Sequence, residues 1–399
     1  MRDIVVVGAS IGGFSAAAEL RARGFDGTIH LIGEEPVRTY ERPPLSKGVL
    51  AGDDPSSIEW AAARDDDLRL DWLVGETAAG LDVAASEVRL ATGETLRYDG
   101  LVIATGAAPR RLPGQRDLAG LHVLRSLDDS LSIRADLDAE PRRVVVIGAG
   151  FIGGEVAATC RRRGHEVTLI EPLEQPMVRV VGATVGAAVA DVHRREGVDV
   201  RLGVGVEAIE GEAHVEAVRT SDGERIEADL VVVGIGVVPN TAWLEGSGVP
   251  VGDGVLCDAT TLAAPGIVAC GDVASWESPR YGRVRIEHWD HAVDMGRAAA
   301  RRLLAADDEA EPYDPVPWFW SDQYDLRIQV AGRPTPPEQG GDLAVVHGSV
   351  EEGRFVALYG RDGQVTAALG WNWPAKTVRY RMALEQGLAW DEALAGAGA

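Results

Sequence analysis

Two stretches whose first glycines lie 140 residues apart repeat one pattern, and that repetition leaves few folds open to the chain. The first runs Asp3-Ile-Val-Val-Val-Gly8-Ala-Ser-Ile-Gly-Gly13, then an alanine-rich segment over Phe14–Arg23, then Gly27-Thr-Ile-His-Leu-Ile-Gly-Glu34. The second runs Arg142-Arg-Val-Val-Val-Ile-Gly148-Ala-Gly-Phe-Ile-Gly153, then Gly154–Arg163, then His165-Glu-Val-Thr-Leu-Ile-Glu171. Each is a β-branched run, a glycine turn, one helix length and a second strand that ends in glutamate. Such a βαβ unit opens a doubly wound parallel sheet. Further apolar runs that stop at glycine, Leu101–Gly106, Leu230–Gly236 and Ile267–Gly271, suit strands buried on both faces.

The glycines have separate tasks. Gly148 permits the tight turn, Gly150 lets backbone approach a diphosphate, and Gly153 brings helix and sheet close. A diphosphate on the helix N-terminus meets unpaired N–H groups and the positive end of the dipole. Phe151 and Ile152 complete that motif, and Glu171 follows Gly148 by 23 residues, placed for the ribose hydroxyls and against a 2′-phosphate, which favours NADH over NADPH. The first copy carries Ser10 at the second glycine position, keeps Gly12 and Gly13, and ends at Glu34. Two dinucleotide folds in one chain imply two dinucleotides, and FAD with NADH is the natural pair.

Charge and composition exclude other classes. The 399 residues carry 39 Lys+Arg and 62 Asp+Glu, hence 39 − 62 = −23, which argues against a nucleic-acid partner. No apolar run approaches the ~20 residues of a membrane span, and no targeting segment is read at the N-terminus, so a cytoplasmic protein is expected. Three scattered cysteines, Cys160, Cys257 and Cys270, form neither a disulfide framework nor a metal site. Lys47 and Lys376 are the only lysines. After an acidic segment at Asp307–Glu311 the tail becomes aromatic (Trp318, Phe319, Trp320, Tyr324, Trp371, Trp373). Its alternating runs predict antiparallel strands and a closing helix over about Lys376–Gln386.

Several segments together carry a family resemblance. They are the two nucleotide motifs, Tyr40-Glu-Arg-Pro-Pro-Leu-Ser-Lys47, Ala104-Thr-Gly-Ala-Ala-Pro109, Val233-Gly-Ile-Gly-Val-Val-Pro-Asn240, Cys270-Gly-Asp-Val-Ala274, Arg285-Ile-Glu-His-Trp289 and Trp318-Phe-Trp-Ser-Asp-Gln-Tyr-Asp-Leu-Arg-Ile-Gln329. With these the chain resembles, over essentially its whole length, the FAD-dependent, NADH-linked ferredoxin reductases of bacterial oxygenase systems, within the glutathione-reductase-like flavoproteins. The resemblance implies an α/β architecture with two Rossmann-like domains and a C-terminal α+β domain. The FAD domain is expected at 1–108 and 239–312, the NADH domain at 109–238, and a domain covering the flavin at 313–399.

It also implies site residues. Gly8, Ser10, Gly12 and Gly13 would hold the FAD diphosphate and Glu34 its ribose. Arg42 and Lys47 would lie along the flavin, Ala78 at the adenine, Ala104, Thr105 and Gly106 at the flavin edge, Arg125 as a brace, Asp272 at the ribityl chain and Trp289 near the ring. Gly148, Gly150, Phe151, Ile152, Gly153, Glu155, Glu171, Ile235 and Gly236 would surround NADH. No cysteine occurs between Arg42 and Gly52, where disulfide and peroxide reductases of this group keep a redox thiol, so electrons are expected to leave the flavin directly.

Three residues are candidates for catalysis: Lys47 and Glu155, expected to meet beside the flavin, and Trp320, on the exit side. Trp318 is expected in the core. A 2Fe–2S ferredoxin is the expected acceptor, with docking near Arg280, Arg283 and Arg285, in a monomer or homodimer without a metal of its own. The three arginines Arg161–Arg163 read as a solvated helix end. Rubredoxin reduction, NADH oxidation, or an NADH-sensing role like that of apoptosis-inducing factor are the alternatives.

Overall fold

The computed structural model describes residues 1–140 and 142–396, and the chain divides into two compact units. The first comprises Met1–Glu41, Ser56–Ala108 and Val237–Pro315; the second comprises Arg42–Pro55, Pro109–Gly236 and Val316–Ala399.

The first unit is built on a six-stranded sheet in the order Leu262–Ala264, Ile267–Ala269, Gly100–Ile103, Asp3–Val7, Thr28–Gly33, Asp71–Val74. Asp3–Val7 pairs in parallel with Thr28–Gly33 on one side and Gly100–Ile103 on the other. Ile4, Val5 and Val6 are fully buried, as a central strand covered on both faces requires. Helix Ile11–Ala22 crosses from the first strand to the second and packs on helix Trp289–Leu304. The two helices meet at glycines: a Cβ on Gly296 would collide with the carbonyl oxygen of Gly12.

The second unit repeats the plan. Its five-stranded parallel sheet runs Asp199–Leu202, Glu166–Glu171, Arg143–Ile147, Leu230–Val233, Leu121–Val123, with helix Phe151–Arg162 connecting Arg143–Ile147 to Glu166–Glu171. A five-stranded antiparallel sheet follows, in the order Trp318–Gln323, Leu326–Gly332, Gln364–Trp371, Arg354–Arg361, Asp342–Ser349. Its core is shared with helix Val178–Arg195, whose Val181, Val185 and Val189 pack with Ile328, Val330, Phe355 and Leu369. Tyr359 pins the two together by donating its hydroxyl to the carbonyl of Val181 at 2.7 Å. The closing helix spans Pro374–Gln386, and a short helix, Trp390–Gly396, follows it.

The segment Arg42–Pro55 packs with the second unit although it lies inside the sequence range expected for the FAD domain. Ser130 donates to the carbonyl of Leu45 at 2.7 Å, Thr159 to that of Ser46 at 2.8 Å, and Arg163 to that of Leu50 at 2.8 Å. Arg163 also pairs with Asp138, and Arg162 with Asp325 at 2.5 Å. The expectation of a solvated arginine end is therefore corrected for Arg163, whereas Arg162 stays exposed beside an exposed Asp325. The helix terminus attracts the guanidinium groups, and packing then spends them on neighbouring backbone.

The two glycine turns match in detail. Gly8 has φ +117° and Gly148 φ +100°, and a Cβ on either would run into a carbonyl oxygen, of Ala104 and Gly234 respectively. Gly13 and Gly153 press against the carbonyl oxygens of Gly8 and Gly148. Alanine at Gly8 would combine a left-handed backbone with a steric clash, and strain of this kind costs about 1–3 kcal/mol before the clash is counted. Gly8→Ala should lower the thermal midpoint and the flavin content of the purified protein together, read by circular dichroism and visible absorption. Gly52→Ala, equally left-handed but with open space around its Cβ, should leave flavin content unchanged.

Candidate functional site

In the first unit the residues named for FAD converge on the end of the sheet where the strands finish. Ser10 caps helix Ile11–Ala22 with extended backbone, φ −83°, and the first intrahelical bond runs from Phe14 N to Ser10 O. The N–H groups of Ile11, Gly12 and Gly13 precede that bond, and the first turn contains no acidic residue. Such an end is open to an anion. Thr39 supports the turn, its buried hydroxyl donating to the carbonyl of Ala9 at 2.7 Å. Glu34 is exposed at the end of the second strand. Thr105 and Asn240 exchange hydrogen bonds, Thr105 Oγ1 to Asn240 O at 2.8 Å and Asn240 Nδ2 to Thr105 O at 2.9 Å. They fix Ala104 and the left-handed Gly106 beside Gly8.

Asp272 lies on a 3-10 turn, Gly271–Val273, and Trp289 opens helix Trp289–Leu304 with its ring 5.6 Å from that of Trp60. Ala78 begins strand Ala78–Asp82. Behind them His291 is buried, stacked on Trp276 at 4.9 Å and bonded through Nδ1 to the Tyr313 hydroxyl at 3.1 Å; burial lowers its pKa to about 3.

In the second unit several of the residues expected around NADH lie at the matching turn. Gly150 is the extended N-cap of helix Phe151–Arg162, and a Cβ there would meet nothing within 4 Å. The first turn again lacks acidic residues. Phe151 packs edge-on to Phe319 at 4.8 Å, and Ile152 is exposed. Glu171 accepts from Ala149 N at 2.8 Å and from Leu173 N at 3.0 Å, which ties the strand end to the glycine turn. Ile235 packs in the core beneath, and Gly236 is left-handed. Arg42 donates to the carbonyl of Arg125 at 2.6 Å.

Lys47 and Glu155 meet. Lys47 Nζ lies 2.6 Å from Glu155 Oε2, and the carboxylate is almost fully buried. Ser46 Oγ donates to the same oxygen at 2.5 Å; Ser321 Oγ donates to Oε1 at 2.7 Å and Asp322 N at 3.3 Å. The segments Arg42–Pro55, Phe151–Arg162 and Trp318–Gln323 therefore join on one buried anion. Trp318 sits in the core and Trp320 packs partly buried against the same cluster. The residues that sequence reasoning passed over here are Ser46 and Ser321. Both sit inside the Tyr40–Lys47 and Trp318–Gln329 motifs, and a serine beside a lysine or a tryptophan carries no sequence signal of the carboxylate it meets.

The arginines expected to dock a partner are each matched to an acid. Arg283 pairs with Glu277 at 2.7 Å, Arg285 with Glu287 at 2.6 Å and Asp253 at 3.1 Å, and Arg280 with Asp314 at 3.6 Å. All three cysteines are buried free thiols whose pKa burial raises to about 12, which leaves them inert. Among the described residues no cluster could hold a metal ion, and no helix is long and apolar enough to cross a membrane.

Open, acid-free helix starts and glycines that leave room for backbone approach fit two dinucleotides, and the comparisons agree. The pyridine nucleotide-disulphide oxidoreductase model matches residues 2–296, and a reductase C-terminal model matches 318–397. The chain belongs to the pyridine nucleotide-disulphide oxidoreductases, flavoproteins using FAD and NAD(P)H, among the ferredoxin reductases of oxygenase systems. Rhodocoxin reductase of Rhodococcus erythropolis is 40% identical over 88% of this chain and 82% of its own. Putidaredoxin reductase of Pseudomonas putida is 34% identical over 98% of this chain and 95% of its own. The reductase in the covalent putidaredoxin reductase–putidaredoxin complex superposes with TM-score 0.91 at 32% identity, covering 100% of this chain and 99% of that one.

His193, fully buried on helix Val178–Arg195, is held neutral: burial lowers its pKa from 6.5 to about 4. The unfolded chain, with a histidine near ~6.5, binds more protons than the folded one between those values. Stability is complete above about pH 6.5 and is lost as pH falls toward 4, and His291 acts in the same sense. The thermal midpoint should fall between pH 7 and pH 4.5, and His193→Gln should shrink that fall while lowering the midpoint at pH 7. Equal falls in both proteins would remove His193 as a cause.

Proposed function

We propose that this chain takes hydride from NADH onto FAD and passes single electrons to a 2Fe–2S ferredoxin that serves an oxygenase. Similarity over nearly the whole length to ferredoxin reductases of biphenyl and anthranilate dioxygenase systems carries the proposal. Rhodocoxin reductase and putidaredoxin reductase are named for rhodocoxin and putidaredoxin, and the solved complex holds putidaredoxin. FAD, when bound, supplies the centre that accepts two electrons together and releases them one at a time.

The chain's own residues bind, orient and exclude. The N–H groups of Ile11–Gly13 and Phe151–Gly153 are assigned to the two diphosphates, with Ser10 small enough to leave the first approach open. Glu34 is assigned to the FAD ribose. Glu171, fixed by Ala149 N and Leu173 N, presents a carboxylate that rejects a 2′-phosphate and so selects NADH. Lys47 is assigned to stabilise the negative charge the flavin gains. Its ammonium is kept in place by a buried carboxylate, where attraction is stronger than in water. Trp320 is assigned to the exit side, while Trp318 is core.

No thiol takes part, since Cys160, Cys257 and Cys270 are buried and inert. The carboxylate partners of Arg280, Arg283 and Arg285 reduce the attraction these arginines would offer an acidic ferredoxin, so a docking role there rests on the residues as pairs.

Anaerobic stopped-flow mixing with NADH, followed by oxidised 2Fe–2S ferredoxin, tests the proposal. Ferredoxin reduction at catalytic rates is expected, with little turnover on rubredoxin or oxygen. Lys47→Met should slow flavin reduction roughly tenfold, equivalent to about 1.4 kcal/mol of transition-state stabilisation. An unchanged rate would remove Lys47 from the mechanism. Rapid reoxidation by air without ferredoxin turnover would replace the reductase reading with an oxidase.

A further inference from the structure

Behind Ser321 the polar contacts continue inward through residues that have no direct part in the assignment above. Gln323 Nε2 donates to Ser321 Oγ at 3.2 Å, and its Oε1 lies 3.0 Å from His193 Nε2. His193 Nδ1 lies 3.1 Å from the Tyr324 hydroxyl. Ser321, Gln323 and His193 are all fully buried. Gly154 leaves room for the amide: a Cβ there would stand 2.9 Å from both polar atoms of Gln323.

The donors and acceptors allow one consistent direction. A buried, neutral His193 carries a single ring proton. Gln323 Oε1 can only accept, so that proton is on Nε2, and Nδ1 accepts from the Tyr324 hydroxyl. Gln323 then offers its NH₂ group to Ser321 Oγ, which occupies a lone pair there and turns the serine proton toward Glu155. Every step from Tyr324 to Glu155 therefore points a donor at the carboxylate. A chain of aligned hydrogen bonds strengthens its members in a buried site.

We infer that Gln323, His193 and Tyr324 are positioning residues: they orient Ser321 as a fixed donor to Glu155, which in turn holds the Lys47 ammonium in the place required for flavin reduction. The inference rests on the assignment of Lys47 to the flavin. It gives the Ser-Asp-Gln-Tyr part of the aromatic motif a task separate from that of Trp320.

Because Lys47 and Lys376 are the only lysines, a lysine-labelled sample yields two side-chain ammonium signals, and Lys47→Met identifies which is which. The experiment compares wild type, Ser321→Ala and Gln323→Glu as flavin-loaded full chains. It reads the Lys47 signal, the ¹⁵N shifts of His193, and the midpoint potential of the bound flavin. Gln323→Glu keeps the shape but removes the donor, so it turns Ser321 away from Glu155. Ser321→Ala deletes the last link and is the milder change.

His193 should be the Nε2–H tautomer in wild type. In both variants the Lys47 signal should move toward that of a free lysine. The flavin potential should fall and reduction by NADH should slow about fivefold to tenfold. Unchanged Lys47 signals in variants of normal flavin content would overturn the inference and leave the array as packing. An Nδ1–H tautomer would overturn it through the direction of the chain. A shifted Lys47 signal with an unchanged potential would overturn it through the flavin assignment, leaving the array itself intact.

Discussion

Burying a carboxylate costs several kcal/mol unless charge and hydrogen bonds replace the lost water, and Glu155 receives both. Lys47 and Ser46 from one segment, and Ser321 and the backbone of Asp322 from another, approach its two oxygens. Removing any one donor leaves an imperfectly compensated buried anion, so these segments are obliged to stay together. The same requirement explains why Arg42–Pro55 packs with the second unit rather than with the sequence that flanks it. Thr159, Ser130 and Arg163 complete that attachment by donating to carbonyls within the segment.

The two nucleotide turns solve a different problem by a shared device. In each, a left-handed glycine ends the first strand against a neighbouring carbonyl, and a second glycine lets the helix start beside it. The result is a helix N-terminus with unclaimed N–H groups and no acid of its own. Ser10 and Gly150 stand at equivalent caps with nearly the same extended backbone, so the serine departs from the motif in side chain alone.

Much of this was readable beforehand because it depends on local rules. β-Branched runs ending in glycine gave the strands at Asp3–Val7 and Arg143–Ile147, and alternation gave the antiparallel tail. The Lys47–Glu155 contact was legible from the paired motifs. What stayed hidden depends on three-dimensional pairing. Ser46 and Ser321 look like ordinary polar residues until the carboxylate they share is located. Arg280, Arg283 and Arg285 look like a basic patch because the stretch between them holds no acid, whereas their partners Glu277 and Glu287 flank it and Asp253 and Asp314 lie far along the chain. Arg163 looks solvated because its acceptor, the carbonyl of Leu50, lies 113 residues away.

A single redox centre follows from the chemistry of the cysteines: all three are buried, unpaired and kept protonated, so no thiol can store electrons between NADH and the acceptor. Anaerobic titration of the flavin-loaded protein with NADH measures this storage capacity directly. One equivalent of NADH should bleach the flavin completely, with no increase in titratable thiols. A requirement for two equivalents, or a thiolate-to-flavin absorption band at the halfway point, would show a second two-electron centre and contradict direct transfer to the acceptor.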